Sequence, residues 1–549
     1  MKNNVTYVIL AYGAQALVLK CLQTFRLFHS DDPIIVCDNG GPDGKRTKEI
    51  AEMFGAKYIL NPGNESLSKI MNLGVEASET DYVCIVTQGV EFTTRLTEQF
   101  ERDFAKDPLT VMVGGLLIYP DGKIQHGGGR RFWNYGAMGH YGQNMYPYQA
   151  KLCTIPAYRL YVTGATAAIC KSFWQDHKYD ETITMSCEDT DMCFKAWQDG
   201  KRVLYDPLIT SIHKEGATRG ATNEEKMQKA PHMLEREMKS LAIFKERYSD
   251  SDIVVMDREV NRLNKELHPD LPVGFIRNGA TGDVLRTLQA YDALDNKDKT
   301  VVITQTPEAF RDRECFALTT ITEAYAVSAF IDLDLAYERD RTKPIERSYG
   351  EVATGSQFFR NKPIELKSTE LDWLAVTSLE PTFRWDKPFI VMHMYQGWQG
   401  KTIHPDFWRY MTVKLAEKGY GIVAIGANND LPPQGNRIIS LVNRTSLHML
   451  RALCERAKLF IGMDTGPLHI ADGACPAIGL FTITRPELLV SDKVTGFMTK
   501  AECGGCIIRR PLTTGYDCDY VERDPKRFQC VNGFDPNEIL AKADELLKS

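Results

Sequence analysis

Acidic side chains at the ends of apolar runs are where this chain first shows residue types and spacing suited to chemistry. Asp38 closes the run PIIVCDN and opens Asn39-Gly40-Gly41. At the carboxyl end of a strand such a carboxylate can accept hydrogen bonds from a nucleoside base or ribose, although Asn-Gly and Gly-Gly also make plain turns. Glu188 and Asp189 head Glu-Asp-Thr-Asp in front of a helix-like run at 192–197. A carboxylate there can sit within reach of a hydroxyl and be tuned upward in pKa by burial, which suits proton abstraction; it can equally cap the helix.

A second set lies in the C-terminal half. Asn278-Gly279-Ala280-Thr281-Gly282-Asp283 follows a strand-like run and opens a helix, and its glycines let the backbone turn tightly and carry Asp283 to a cleft. Asp464, Thr465, Gly466, Pro467 and His469 follow the run LFIGM. Backbone N–H groups at a helix N-terminus, with a hydroxyl beside them, form a ready diphosphate site, while Asp464 alone would serve as an N-cap. Cys503, Cys506, Cys518 and Cys530 make a CxxC followed by two wider-spaced cysteines. Four thiolates at such spacings can hold structural zinc, and free thiols are an equal expectation.

These residues need elements to position them. From residue 5 to about 92, apolar β-branched runs (VTYVILAY, PIIVCDN, AKYILN, DYVCIVT) alternate with helix-like segments, the pattern of a parallel sheet covered by helices. Residues 93–215 are less regular, and HGGGRRFWNYGAMGHYGQN, which contains His126, reads as loops around a site. Further alternating units begin at VGFIRNGATGDVL and FIVMHMYQGW, so two α/β lobes follow one another with a ligand cleft expected between them. The expected division is a first domain over 1–245, a linker over 246–271, a lobe over 272–370 and a last lobe with a cysteine-rich tail over 371–549.

Bulk properties bound the function. A length of 549 residues implies several folding units, and 43% hydrophobic with 25% charged residues is ordinary for a globular protein with packed cores. A net charge of −6 gives no overall basic footprint for nucleic acid. No run of about 18 apolar residues and no secretory leader is visible, which leads to the expectation of a cytoplasmic protein without a transmembrane segment. The fourteen scattered cysteines agree with a reducing compartment.

In order along the chain, Asp38-Asn39-Gly40-Gly41, Asn61-Pro62-Gly63, Gly164-Ala165, Glu188-Asp189-Thr190-Asp191 and His213 resemble the family 2 glycosyltransferases of the GT-A fold, over roughly residues 4–220. The resemblance implies that Asp38 binds the nucleoside and that Asp189, next to Glu188, is the base of an inverting displacement. The family carries a metal-binding aspartate after its central strand; here that place reads Gln88-Gly89-Val90-Glu91. Glu91 and His213 are the remaining candidate ligands for a divalent cation (Mn or Mg), and transfer without metal, or a binding role alone, stays open.

Residues 272–549 resemble the ADP-heptose:lipopolysaccharide heptosyltransferases, a GT-B group, on the Gly-rich turn before Asp283 and on Asp464-Thr465-Gly466-Pro467 with His469. This resemblance implies that Asp283 is the catalytic base, Thr465, Gly466 and His469 contact the donor phosphates, Lys401 adds positive charge at the leaving phosphate, and Asn428 or Asp430 reaches the nucleoside. The fold class is therefore α/β, an N-terminal GT-A nucleotide-sugar domain followed by a two-lobed, twin Rossmann-like GT-B domain. The function expected is a tandem glycosyltransferase that moves sugars from nucleotide sugars to a glycan acceptor of surface-polysaccharide or lipopolysaccharide type. Two alternatives remain at this stage: glycosylation of hydroxymethylated bases in phage-type DNA, for which runs at 130–133 and 507–511 supply a few arginines, and an active GT-B half joined to a binding module.

Overall fold

The computed structural model describes residues 4–63, 66–131, 138–216, 220, 222–394, 397–427, 437–509, 518, 520 and 524–548. The chain divides into two compact units, one of Met1–Pro272 with Glu323–Ala329, the other of Val273–Thr322 with Phe330–Ser549.

The first unit is built on a ten-stranded sheet. Lys57–Leu60, Ile34–Asp38, Val5–Ala11 and Tyr82–Thr87 lie side by side in parallel, and Thr166–Cys170 then pairs antiparallel to Tyr82–Thr87. Every residue of Val5–Ala11 and of Ile34–Asp38 is buried, as expected of parallel strands covered on both faces. Helix Gln15–Phe28 presents Val18, Cys21, Leu22 and Phe25 to the sheet, an i, i+3, i+4, i+7 stripe. The register sets Ala11 beside Asp38 and Leu10 beside Thr87, so the strand ends open on one edge, at the place where the sheet order reverses and α/β sheets bind ligands.

The stretch 246–271 is not a linker. It contains helix Asp250–Leu267, started by a Ser249–Asp252 capping box, whose Ile253, Met256, Val260 and Leu263 are buried in the core of the first unit. Their spacing is helical, and the charged residues between them, which suggest a solvated connector, occupy the outer face.

The second unit holds two sheets. Ala317–Thr319, Thr300–Thr304, Val273–Arg277 and Ala329–Asp332 form one, in that order. The other is all parallel and runs Ile438–Ser440, Gly421–Ile425, Phe389–His393, Leu459–Met463, Ala477–Phe481, Val494–Met498. Numbered within this sheet, the order is 3-2-1-4-5-6, the doubly wound arrangement whose ligand crevice lies at the carboxyl ends of its first and fourth strands. Those ends are His393 and Met463, which places the Lys401 loop and Asp464-Thr465 at the crevice. No helix among the described residues is long and apolar enough to cross a membrane.

Candidate active sites

In the first unit a cavity of about 570 Å³ opens at the carboxyl edge of the sheet, lined by Asn39, Gln88, Gly164, Glu188, Asp189 and Glu215 among others. Helix Glu188–Gln198 enters through two successive left-handed residues, Ser186 (φ 63°) and Cys187 (φ 68°). Non-glycine residues pay for that conformation in strain, which persists where the surroundings enforce it. Its effect is to set the first turn against the cavity. Gly164 N–H donates to Asp189 Oδ2 at 2.8 Å, and Thr190 N–H and Oγ1 donate to Oδ1 at 2.6 and 3.2 Å. Asp189 thus bridges helix and sheet and does more than cap. Asp191, two residues on, is a structural anchor: it is 1% exposed and is held by Arg247 at 2.5 Å and Lys195 at 2.9 Å.

Asp38 is fully buried, its Oδ1 receiving Gly40 and Gly41 N–H at 3.1 and 3.2 Å and its Oδ2 receiving the Tyr58 hydroxyl at 2.9 Å. It braces the turn, and the neighbouring Asn39 is the residue that lines the cavity. Gln88 spans to the first strand, taking Tyr12 N–H at 2.9 Å and donating to Tyr12 O at 3.3 Å.

The residues at the expected cation site do not fit a divalent cation. A Cβ on Gly89 would stand 2.9 Å from the Lys214 carbonyl oxygen, so the backbone leaves no room for a carboxylate side chain there. Glu91 pairs with Lys214 at 3.2 Å and Lys20 at 3.9 Å. Both nitrogens of His213 are engaged, Nδ1 with Gln125 Oε1 at 2.8 Å and Nε2 with Thr87 Oγ1 at 3.0 Å. Among the described residues no three His, Cys, Asp or Glu side chains are arranged to hold a metal ion.

In the second unit Asp283 lies 3.1 Å from the Arg277 guanidinium, which also binds Glu338 at 2.8 Å. Burial raises the Asp283 carboxyl above its usual range; Arg277 pulls it back and Glu338 raises it again. Asp334, which accepts Asn278 N–H at 2.6 Å, is pushed up to about 6 by burial and by Asp332.

Lys401 and Asp464 form a buried pair at 2.6 Å, joined by the Thr484 hydroxyl at 2.5 Å. Burial would raise Asp464, but Lys401 and then His469 overcome it and leave the carboxyl below its ordinary value. His469 accepts Arg286 Nε and Nη2 on Nδ1 at 3.1 and 3.0 Å, which leaves its proton on Nε2, 4.0 Å from Asp464; burial and then Arg286 push the imidazole down to about 3. Arg286, wholly buried, also binds Asp472 at 2.7 Å and Glu346 at 2.9 Å. Thr465 Oγ1 meets His393 Nδ1 at 3.1 Å, and Gly466 and Pro467 start the short helix that carries His469. Sequence reasoning missed Arg277, Arg286, Glu338 and His393; the position of His393 at the end of an apolar strand is the one signal that pointed to the crevice. Asn428 and Asp430 lie outside the described residues, as do 132, 133, 510 and 511 of the short basic runs.

None of the four tail cysteines is joined in a disulfide. Cys506 and Cys530 are buried with Ile483 and Ile507, and Cys530 is pushed up to about 12 by burial and by Cys503, Cys506 and Cys518. Phe528 N–H donates to Cys518 Sγ at 3.4 Å, and the Cys530 thiol faces Gly400 O at 3.9 Å, so the tail packs against the loop that carries Lys401.

Two family models match the chain. Residues 6–171 match glycosyl transferase family 2, and residues 351–510 match glycosyltransferase family 9 (heptosyltransferase). An uncharacterized protein of Sinorhizobium fredii, y4gI, is 25% identical over 207 residues, 36% of this chain; the match spans only 22% of that relative's length. Among solved structures, the iron-containing dodecameric glycosyltransferase TibC of enterotoxigenic E. coli is 14% identical, with 51% of this chain and 76% of that chain covered and a TM-score of 0.41. A family 9 glycosyl transferase of Veillonella parvula is 15% identical (51% and 97% covered, TM-score 0.38), and E. coli ADP-heptose lps heptosyltransferase II is 14% identical (50% and 98% covered, TM-score 0.38).

Proposed function

We propose that this chain, which joins a family 2 glycosyltransferase domain to a family 9 (heptosyltransferase) domain, transfers sugars from nucleotide-sugar donors at two separate sites, one in each unit. The observation that carries the reading is that each unit holds a partly exposed carboxylate, Asp189 or Asp283, at a ligand-binding edge of its sheets. In each site the carboxylate takes the proton of an acceptor hydroxyl, the hydroxyl oxygen bonds to the anomeric carbon from the face opposite the leaving group, and the nucleoside diphosphate departs with the electron pair of the broken C–O bond. Such a displacement inverts the anomeric centre.

In the second unit Lys401, aimed by Asp464, supplies positive charge for the departing diphosphate, with Thr465 and the backbone at Gly466 as hydrogen-bond donors. His469, neutral and protonated on Nε2, is a further donor. In the first unit Asn39 and Gln88 face the nucleotide end of the cavity and Asp189 the reacting end.

The acceptor we favour is a glycan of surface-polysaccharide or lipopolysaccharide type. Four carboxylates (Glu188, Asp189, Glu215, Glu237) and two lysines (Lys214, Lys226) line the described part of the first cavity, a balance that suits neutral hydroxyls better than the phosphates of DNA. Fourteen cysteines, none in a disulfide, suit a reducing compartment such as the cytoplasm. The test is release of free nucleotide from UDP-, GDP-, ADP-, CMP- and dTDP-sugars, with surface glycans and hydroxymethylated DNA as acceptors. Turnover with glycans only supports the reading, and turnover with DNA only replaces it.

A further inference from the structure

The HGGG stretch that begins at His126 has a structural explanation that leads to a second functional pair. Its glycines allow a close approach: a Cβ on Gly127 would lie 2.4 Å from Cys153 Sγ and one on Gly129 would lie 2.0 Å from the Tyr161 ring. Packed this tightly, strand Gly129–Arg131 pairs antiparallel with Met138–His140, with Gly129 opposite His140. The hairpin brings the two imidazoles together, Nδ1 to Nδ1 at 2.5 Å, in the wall of the first cavity.

The two rings are not equivalent. His126 is 1% exposed, and its Nε2 is buried with no hydrogen-bond partner. A buried bare acceptor is tolerated better than an orphaned N–H, so His126 carries its proton on Nδ1 and donates it to His140. His140 Nδ1 is then an acceptor, and the His140 proton sits on Nε2, for which the described residues provide no partner. Tyr161, whose hydroxyl donates to Gly139 O at 2.8 Å, stands 3.5 Å from the same His140 Nδ1. Burial pushes both imidazoles below their ordinary pKa, so the arrangement stays neutral; Asp189 and Glu215 are near enough to act on His140.

We infer that His140, positioned by His126, presents a fixed neutral N–H donor to a sugar hydroxyl at the Asp189 end of the cavity, and so forms a pyranose subsite. The inference rests on the reading of this cavity as a transferase site. The hydroxyl belongs either to the donor sugar or to the acceptor, and the experiment separates the two.

The full chain is made as wild type, His140→Phe, His140→Gln and Asp189→Asn. UDP-glucose, GDP-mannose and dTDP-rhamnose are titrated against UDP, GDP and dTDP, and acceptor KM is measured with the donor that turns over. His140→Phe weakens either the nucleotide sugar relative to its nucleotide, or the acceptor KM, by about five- to tenfold, the worth of one hydrogen bond. His140→Gln, which keeps an N–H donor, recovers most of the loss. Nitrogen-15 spectra of histidine-labelled protein show His126 as the Nδ1–H and His140 as the Nε2–H tautomer. The inference is overturned if His140→Phe changes neither quantity, or if the tautomers are reversed. Loss of turnover in Asp189→Asn with an unaffected His140→Phe sinks this inference alone; unchanged turnover in Asp189→Asn sinks the transferase reading of the cavity.

Discussion

The Arg277 guanidinium stands 3.1 Å from the Asp283 carboxylate and 2.8 Å from Glu338, one cation shared by a candidate base and a second acid. Burial raises Asp283, and Arg277 is the largest opposing influence. Replacing Arg277 by Gln leaves burial and Glu338 opposed only by the weaker pull of Lys401, so the base must be deprotonated at higher pH. The acidic limb of the kcat profile for the C-terminal reaction moves to higher pH in Arg277→Gln; a limb that stays in place contradicts the assignment of Asp283.

Lys401 and Asp464 act as a unit, because the carboxylate both neutralises the buried ammonium and points it into the crevice. Lys401→Met removes the charge opposite the leaving group and lowers kcat of the C-terminal reaction by about 10²–10³-fold. Steady-state kinetics with the preferred donor checks this, and an effect confined to KM would place Lys401 in ground-state binding only.

Asp103 and Asp206 share Gln99 Nε2 at 3.1 and 2.6 Å, and Asp103 is raised to about 7 by burial and by Asp206. Its folded pKa lies above the unfolded value, so the protonated form favours folding. That stability is complete below about pH 4 and is lost as pH rises toward 7, at up to about 1.4 kcal/mol per pH unit. Urea unfolding of the wild type and Asp103→Asn between pH 4 and 7 measures it: the slope flattens in the variant.

By the resemblance to family 2, Gly89 stands where that family carries a metal-binding aspartate, and a Cβ there would lie 2.9 Å from the Lys214 carbonyl oxygen. Gly89→Asp forces this backbone apart and destabilises the first unit by about 1–3 kcal/mol. Thermal melts with and without Mn²⁺ read both consequences; a variant that melts like wild type and is stabilised by Mn²⁺ contradicts the steric account.

The parallel sheets were legible because their strands read as unbroken apolar runs, and Asp189, Asp283, Asp464 and His469 were legible because they follow such runs at strand or helix ends. The helix Asp250–Leu267 was hidden by its charged outer face, although its four buried residues keep helical spacing. Arg286 was invisible for a different reason. Its partners Glu346, His469 and Asp472 are 60, 183 and 186 residues away, and no local pattern marks a cation as buried. Asp38 shows the limit of motif reasoning: its place at the strand end was evident, but its engagement by two backbone N–H groups and Tyr58 was not.

The central claim is that the chain carries two independent transfer sites, and the most direct measurement compares nucleotide release by wild type, Asp189→Asn and Asp283→Asn across the donor panel, with acceptor present and with and without EDTA. Each substitution is expected to abolish turnover of one donor by about 10²–10⁴-fold and leave the other intact. If Asp283→Asn removes all turnover and Asp189→Asn none, the first unit is a binding module and the two-site account is wrong.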